Sequence, residues 1–133
     1  MTIYVLCGLP ASGKTTLSEQ LATEHEAKLF HYDDYRGNKK HELHAQIKKE
    51  LTSNNVVLDG LFLVKAWREE LLEILKEIEC EKILVKLEAS MEECIERNKE
   101  RKRPLNEAVI RHLNKRYQEP TLDEGWNDIQ YIK

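Results

Sequence analysis

Lys14 and Thr15 stand at the end of GLPASGKTT, where Gly8 and Gly13 complete the spacing GxxxxGK[ST]. That spacing is the P-loop, in which glycines let the backbone wrap with its N–H groups turned inward around phosphate oxygens. The apolar run TIYVLC precedes it and a helical pattern follows, so the positive end of a helix dipole adds to the cradle. Gly8, Pro10, Ala11, Ser12, Gly13, Lys14, Thr15 and Thr16 are the expected nucleotide-binding residues, joined by Arg97 and Arg101 further along the chain. Lys14 reaches the β- and γ-phosphates and Thr15 ligates Mg²⁺, which makes ATP and Mg²⁺ the expected cofactors.

Asp59 closes VVLD, where a strand-ending carboxylate holds Mg²⁺ through its water shell; the alternative is an ordinary turn residue. Gly60 follows it, where motor-type ATPases usually carry the glutamate that activates water. A GTPase needs an NKxD-like guanine reader, and NKKH and NKER both lack its aspartate. The nucleophile expected here is therefore a hydroxyl other than water.

HYDDYR offers the base for it. Asp33, at the end of a strand on the phosphate side, can accept the proton of an alcohol attacking in line, with Asp34 as competitor. Either can equally be a turn or cap residue. Arg36 can pair with a phosphate of the acceptor or with one of these aspartates. Arg97 and Arg101, four residues apart, are expected on one flank of a helix starting at Ser90, which makes residues 97–104 a candidate lid that brings positive charge to the transferring group. The competing reading of Arg97 is a surface pair with Glu93.

These groups need a frame that brings them to one edge. Strand patterns at TIYVLC, KLFHY, NVVLD and EKILVKLE alternate with helical patterns over 15–26, 39–52, 65–79 and 106–118, and DIQYIK reads as a terminal edge strand. Trp67, Leu71, Leu75 and Ile78 form an apolar stripe, and Ser90-x-x-Glu93 is a capping box. The fold class is α/β: a three-layer sandwich with a parallel sheet of four to five strands and helices on both faces, in one domain over 1–133. In such a sheet ligands bind outside the carboxyl ends of the strands.

With 41% hydrophobic and 34% charged residues the composition suits a folded chain rather than a disordered one. No run approaches the roughly 18 apolar residues of a membrane helix, and no signal-peptide pattern opens the sequence, so a cytoplasmic protein is expected. Cys7, Cys80 and Cys94 have neither disulfide nor zinc spacing. The net charge of -3 argues against a broadly basic nucleic-acid coat. Locally, residues 69–96 hold ten acidic and three basic side chains, whereas 97–116 hold eight basic and two acidic.

With GLPASGKTT, DDYR, Asp59, RNKERKRP and VIRHLNKRYQEPTLDEGWNDI in this order, the chain resembles the kinase module of polynucleotide 5′-hydroxyl kinases and their small zeta-toxin-like relatives. The resemblance implies a nucleotide-kinase-like P-loop fold, Lys14 and Thr15 on ATP and Mg²⁺, Asp33 as general base, Arg36 on an acceptor phosphate and Arg101 as the lid arginine. It implies the 5′-hydroxyl of a DNA or RNA end as acceptor; a nucleoside, sugar, antibiotic or nucleotide sugar is the alternative, and an ATP-binding module without transfer is a further one. Gly60 and Leu61 depart from the small polar residues usual in those kinases after the aspartate, and only about two dozen residues separate Asp33 from Asp59.

Overall fold

Strand residues in this chain alternate between two apolar layers, as the period of two requires. In the computed structural model, which describes residues 1–133, β1 (Thr2–Cys7) sends Ile3, Val5 and Cys7 to one face and Tyr4 and Leu6 to the other. In β3 (Val56–Asp59), Val56 and Leu58 join the first layer and Val57 the second. The remaining strands are β2 (Lys28–His31), β4 (Glu81–Leu87) and β5 (Asp128–Ile132). All five run parallel in the order β2-β3-β1-β4-β5.

The helices divide unequally over the faces. Leu17 and Leu21 of α1 (Lys14–Glu24) cover the smaller layer. The larger layer takes Leu43 and Ile47 of α2 (Lys40–Glu50), Leu71, Leu72 and Leu75 of α3 (Lys65–Leu75), Cys94 and Ile95 of α4 (Met91–Lys99), and Ile110 of α5 (Glu107–Arg116). β1 is central: the chain goes out to β2 and back to β3 on one side of it, then crosses over to β4 and β5 on the other, so the carboxyl end of β1 lies at the switch point where a crevice opens. No helix is long and apolar enough to cross a membrane.

Arg68 of α3 is fully buried, which the apolar stripe does not foretell. It lies three residues before Leu71 and four before Leu72, on the inward face, and its charge type conceals that position in the sequence. Its guanidinium grips Glu124 in two parallel bonds, Nε to Oε1 at 2.9 Å and Nη2 to Oε2 at 3.0 Å, and also donates to the carbonyls of Phe62 and Gln118 at 2.9 Å each. Burying a charge this deeply is tolerable only with such complete pairing. Trp126 Nε1 adds a third bond to the same carboxylate at 3.0 Å. The clamp thereby joins the segment leading into β5 to the loop that follows β3.

All four helices expected over 15–26, 39–52, 65–79 and 106–118 end earlier than their patterns suggest, α2 at Glu50 and α5 at Arg116 by two residues each. α1 stops at Glu24, with Glu26 in the left-handed region at φ 49°, and α3 stops at Leu75, leaving Ile78 packed against the core from the turn beyond. The Ser90 capping box forms, Ser90 Oγ accepting from the Glu93 amide at 3.1 Å.

Candidate active site

The loop between β1 and α1 is shaped by two residues with positive φ, Ala11 at 63° and Gly13 at 99°. Gly8 has no room for a side chain, since a Cβ there would stand 2.9 Å from Ser12 Oγ. The Gly8 amide donates to the Leu61 carbonyl at 3.1 Å and that of Ser12 to Leu9 at 3.2 Å, so the loop is braced from within and from the loop after β3. No side chain caps α1, whose first turn carries no acidic residue. Its leading N–H groups and the positive end of its dipole therefore have no anion of the protein's own. Ser12 Oγ is the one buried side-chain polar atom without a hydrogen-bond partner. An uncapped helix start beside an orphaned buried hydroxyl fits a phosphate ligand.

Lys14 folds over this loop, its Nζ donating to the Leu9 carbonyl at 2.7 Å. Burial pushes its pKa down, and the carboxylates of Asp59 and Asp33 are among the groups pulling it back up. Asp59 is itself buried, and its Oδ2 lies 3.0 Å from Nδ1 of His31, its partner across the β2–β3 register. Thr15 is exposed at the start of α1, with its hydroxyl unbonded. No group of three His, Cys, Asp or Glu side chains converges to hold a metal alone. A Mg²⁺ ion here would be shared between Thr15, the water shell of Asp59 and phosphate oxygens, a division that suits its preference for water and phosphate ligands.

Asp33 does not end a strand. β2 finishes at His31, and Asp33 and Asp34 occupy a single 3₁₀ turn, Tyr32–Tyr35. The turn is held by its aromatic ends: Tyr32 packs edge-on against Phe62 at 5.4 Å, and Tyr35 packs against Phe30 and donates to Gln46 Oε1 at 3.1 Å. Its acidic middle stays in solvent. Asp33 is 76% exposed and lies 4.0 Å from the equally free Arg36 Nη2.

Arg101 is not on the flank of α4. The helix ends at Lys99, and Arg101 lies in the bend beyond, exposed, its amide bonded to the Asn98 carbonyl at 3.2 Å. Asn98 causes the break, because its side chain bonds both the amide and the carbonyl of Leu105 and turns the chain back. Arg97 reaches the phosphate loop instead: Nη1 donates to the Ser12 carbonyl at 3.1 Å while Nη2 stands 3.6 Å from Glu93. Beside it lies a groove of about 370 Å³, lined by Ser12, Leu87, Ala89, Arg97 and Ile132 among others.

Gly60 and Leu61 also have a physical account. A Cβ on Gly60 would collide with the Phe62 ring at 2.6 Å, and Leu61 supplies the carbonyl that braces Gly8. Phe62 carries φ 45°, a strained value for a side chain of its size. Burial pushes the Cys7 thiol up to about 11, so it is packing rather than a nucleophile.

A family model described as chromatin associated protein KTI12 matches residues 1–128. The chain belongs to the KTI12 family. Its backbone superposes on that of Chaetomium thermophilum Kti12 in complex with ADP-AlF3, with TM-score 0.74 and 24% identity over 98% of this chain and 88% of that one. A gluconokinase from Sinorhizobium meliloti 1021 gives TM-score 0.73 at 17% identity, over 98% and 81% of the two chains. Deoxyadenosine kinase from M. mycoides gives 0.58 at 15%, over 99% and 90%. No curated protein matches by sequence. At these identities the structural likeness is one of fold, the kinase-like P-loop fold that this member of the KTI12 family adopts.

Proposed function

We propose that this chain binds ATP with Mg²⁺ and transfers the γ-phosphoryl group to a hydroxyl, with the 5′-hydroxyl of a nucleic-acid end as the first acceptor class. The observation that carries the reading is the half-buried Lys14, folded back over the loop onto the Leu9 carbonyl beside an uncapped helix start, within the electrostatic reach of both Asp59 and Asp33. In Chaetomium Kti12 the ligand is ADP-AlF3, which supports a nucleotide in the corresponding loop here. The 370 Å³ groove flanking Ser12 and Arg97 has the size of a small-ligand pocket and suits the base and ribose.

In this reading the loop amides and Lys14 hold the phosphates, and Mg²⁺, when bound, neutralises charge shared between the β- and γ-phosphates. Asp33 accepts the acceptor's proton while that oxygen bonds to the γ-phosphorus; the bond to the β-γ bridging oxygen breaks and ADP departs. Arg36 faces solvent on the acceptor side, where it meets a phosphate of the incoming strand. Closure of 97–104 carries Arg101 toward the transferring group. The exposure of Asp33 and its contact with Arg36 favour a second reading, nucleotide binding without transfer.

The test incubates the protein with γ-labelled ATP and parallel panels of 5′-hydroxyl DNA, 5′-hydroxyl RNA and small hydroxyl compounds, with Lys14→Met as the inactive control. Label on oligonucleotides is expected. Label on small compounds alone replaces the acceptor class, and nucleotide uptake without any labelled product establishes the second reading.

A further inference from the structure

β2 and β3 end level with each other, which sets His31 directly opposite Asp59 at the carboxyl edge of the sheet. The 3.0 Å contact joins Nδ1 to Oδ2. A carboxylate only accepts, so in the neutral ring the proton of this bond sits on Nδ1. Nε2 has no partner within the protein. Asp59 makes no other hydrogen bond, yet its Oδ1 is not among the sealed polar atoms left without a partner, of which Ser12 Oγ is the single case. The carboxylate therefore has one oxygen tied to the histidine and the other without a partner and not fully sealed, in a side chain that is 10% exposed at the carboxyl edge of the sheet.

We infer that His31 is a positioning residue for Asp59, fixing the rotation of its carboxylate so that Oδ1 remains available to the hydration shell of a nucleotide-bound divalent cation. The inference rests on the nucleotide reading above and adds a residue to it. An aspartate's terminal torsion is broad and roughly two-fold, and a single donor at one oxygen restricts it. Outer groups of this kind commonly orient metal carboxylates. Holding β2 in place does not require the bond: ladder pairing runs from Lys28 to His31, and Phe30 is buried in the core. The ring is also only partly buried, with 37% of its side chain exposed against 10% for Asp59, so it contributes more as a donor than as packing.

The test uses Mn²⁺ as the probe, titrated into ADP-saturated protein and followed by its paramagnetic resonance signal, with ADP affinity in EDTA measured alongside. Asn places an amide nitrogen where Nδ1 stands, whereas Gln places it near Nε2 and Ala places none. His31→Ala and His31→Gln are expected to weaken Mn²⁺ uptake by about 10-fold, the lower end for outer-sphere partners of metal ligands. His31→Asn should stay close to the native protein, and ADP affinity in EDTA should be unchanged in all three. Native Mn²⁺ affinity in His31→Ala, or a loss in His31→Asn as large as in His31→Ala, overturns the inference. If the alanine protein does not fold, as judged by circular dichroism, the contrast between Asn and Gln decides. Native protein that binds ADP but no Mn²⁺ overturns this inference alone, whereas native protein that binds neither overturns the nucleotide reading beneath it.

Discussion

The two sides of the candidate site are built to different standards. On the nucleotide side, Gly8 is pinned to Leu61, Lys14 to Leu9 and Arg97 to Ser12, all between 2.7 and 3.1 Å. On the side proposed for the acceptor, Asp33 and Arg36 stand in solvent, 76% and 82% exposed and 4.0 Å apart. A phosphate can enter a cradle that is already formed, so little ordering opposes its binding. Under the proposed transfer, the acceptor itself desolvates Asp33 and draws Arg36 away from it, so selection for the acceptor would fall in the transfer step more than in nucleotide uptake.

Removing the proposed base should break this contrast most severely. Asp33→Asn is expected to lower kcat by on the order of 10² to 10⁴ with nucleotide affinity nearly intact, measured by steady-state kinetics and isothermal titration. Asp34→Asn, in the same turn, should leave kcat within a few-fold of native; the reverse pattern would assign the base to Asp34.

The brace behind the nucleotide side comes next. Arg68→Met leaves Glu124 buried without its partner, at a cost of about 3 to 5 kcal/mol in urea unfolding. Burial alone would raise the Glu124 pKa, but the bonds from Arg68 and Trp126 and the charge of Arg68 bring it below the ordinary 4.5. A depressed folded value means that the carboxylate's contribution is fully present above the unfolded pKa and is lost as pH falls through the folded one. Native stability should therefore decline on acidification below about pH 4.5. In Arg68→Met that acid dependence should be flatter, as followed by thermal melts across pH 3 to 7.

The two arginines sharpen the comparison at smaller scale. Arg97→Ala removes a charged donor from the phosphate loop and should weaken nucleotide binding by about 10-fold, as one charge-assisted bond is worth roughly 1.5 to 3 kcal/mol before its half-exposure is discounted. Arg101→Ala should spare binding and reduce only turnover, a split visible in KM against kcat. Ser90→Ala, which removes the cap of α4 without touching the site, should cost about 1 kcal/mol of stability and leave both constants unchanged.

The local rules were legible in the sequence wherever neighbours along the chain settle the outcome. The P-loop spacing, the strand period, the capping box and the order of strands and helices all depend on contacts within a few residues, and all are present in the fold. His31, Arg68, Arg97 and Arg101 were not legible in the same way. Arg68 sits on an apolar stripe and becomes tolerable only through Glu124, 56 positions away. Arg97 meets a carbonyl 85 positions distant, and Arg101 leaves the helix because Asn98 binds Leu105 across the turn. His31 acquires its bond because two strands end level with each other.

By itself, then, the sequence determined that a glycine-bearing turn and a helix would follow a buried strand and that carboxylates would gather at the same edge, since backbone geometry and residue period act locally. The tertiary structure alone decided which charged groups are paired, which are sealed and which remain free. Burial and hydrogen bonding between distant segments set the energy of a charge, and no spacing along the chain encodes that distance.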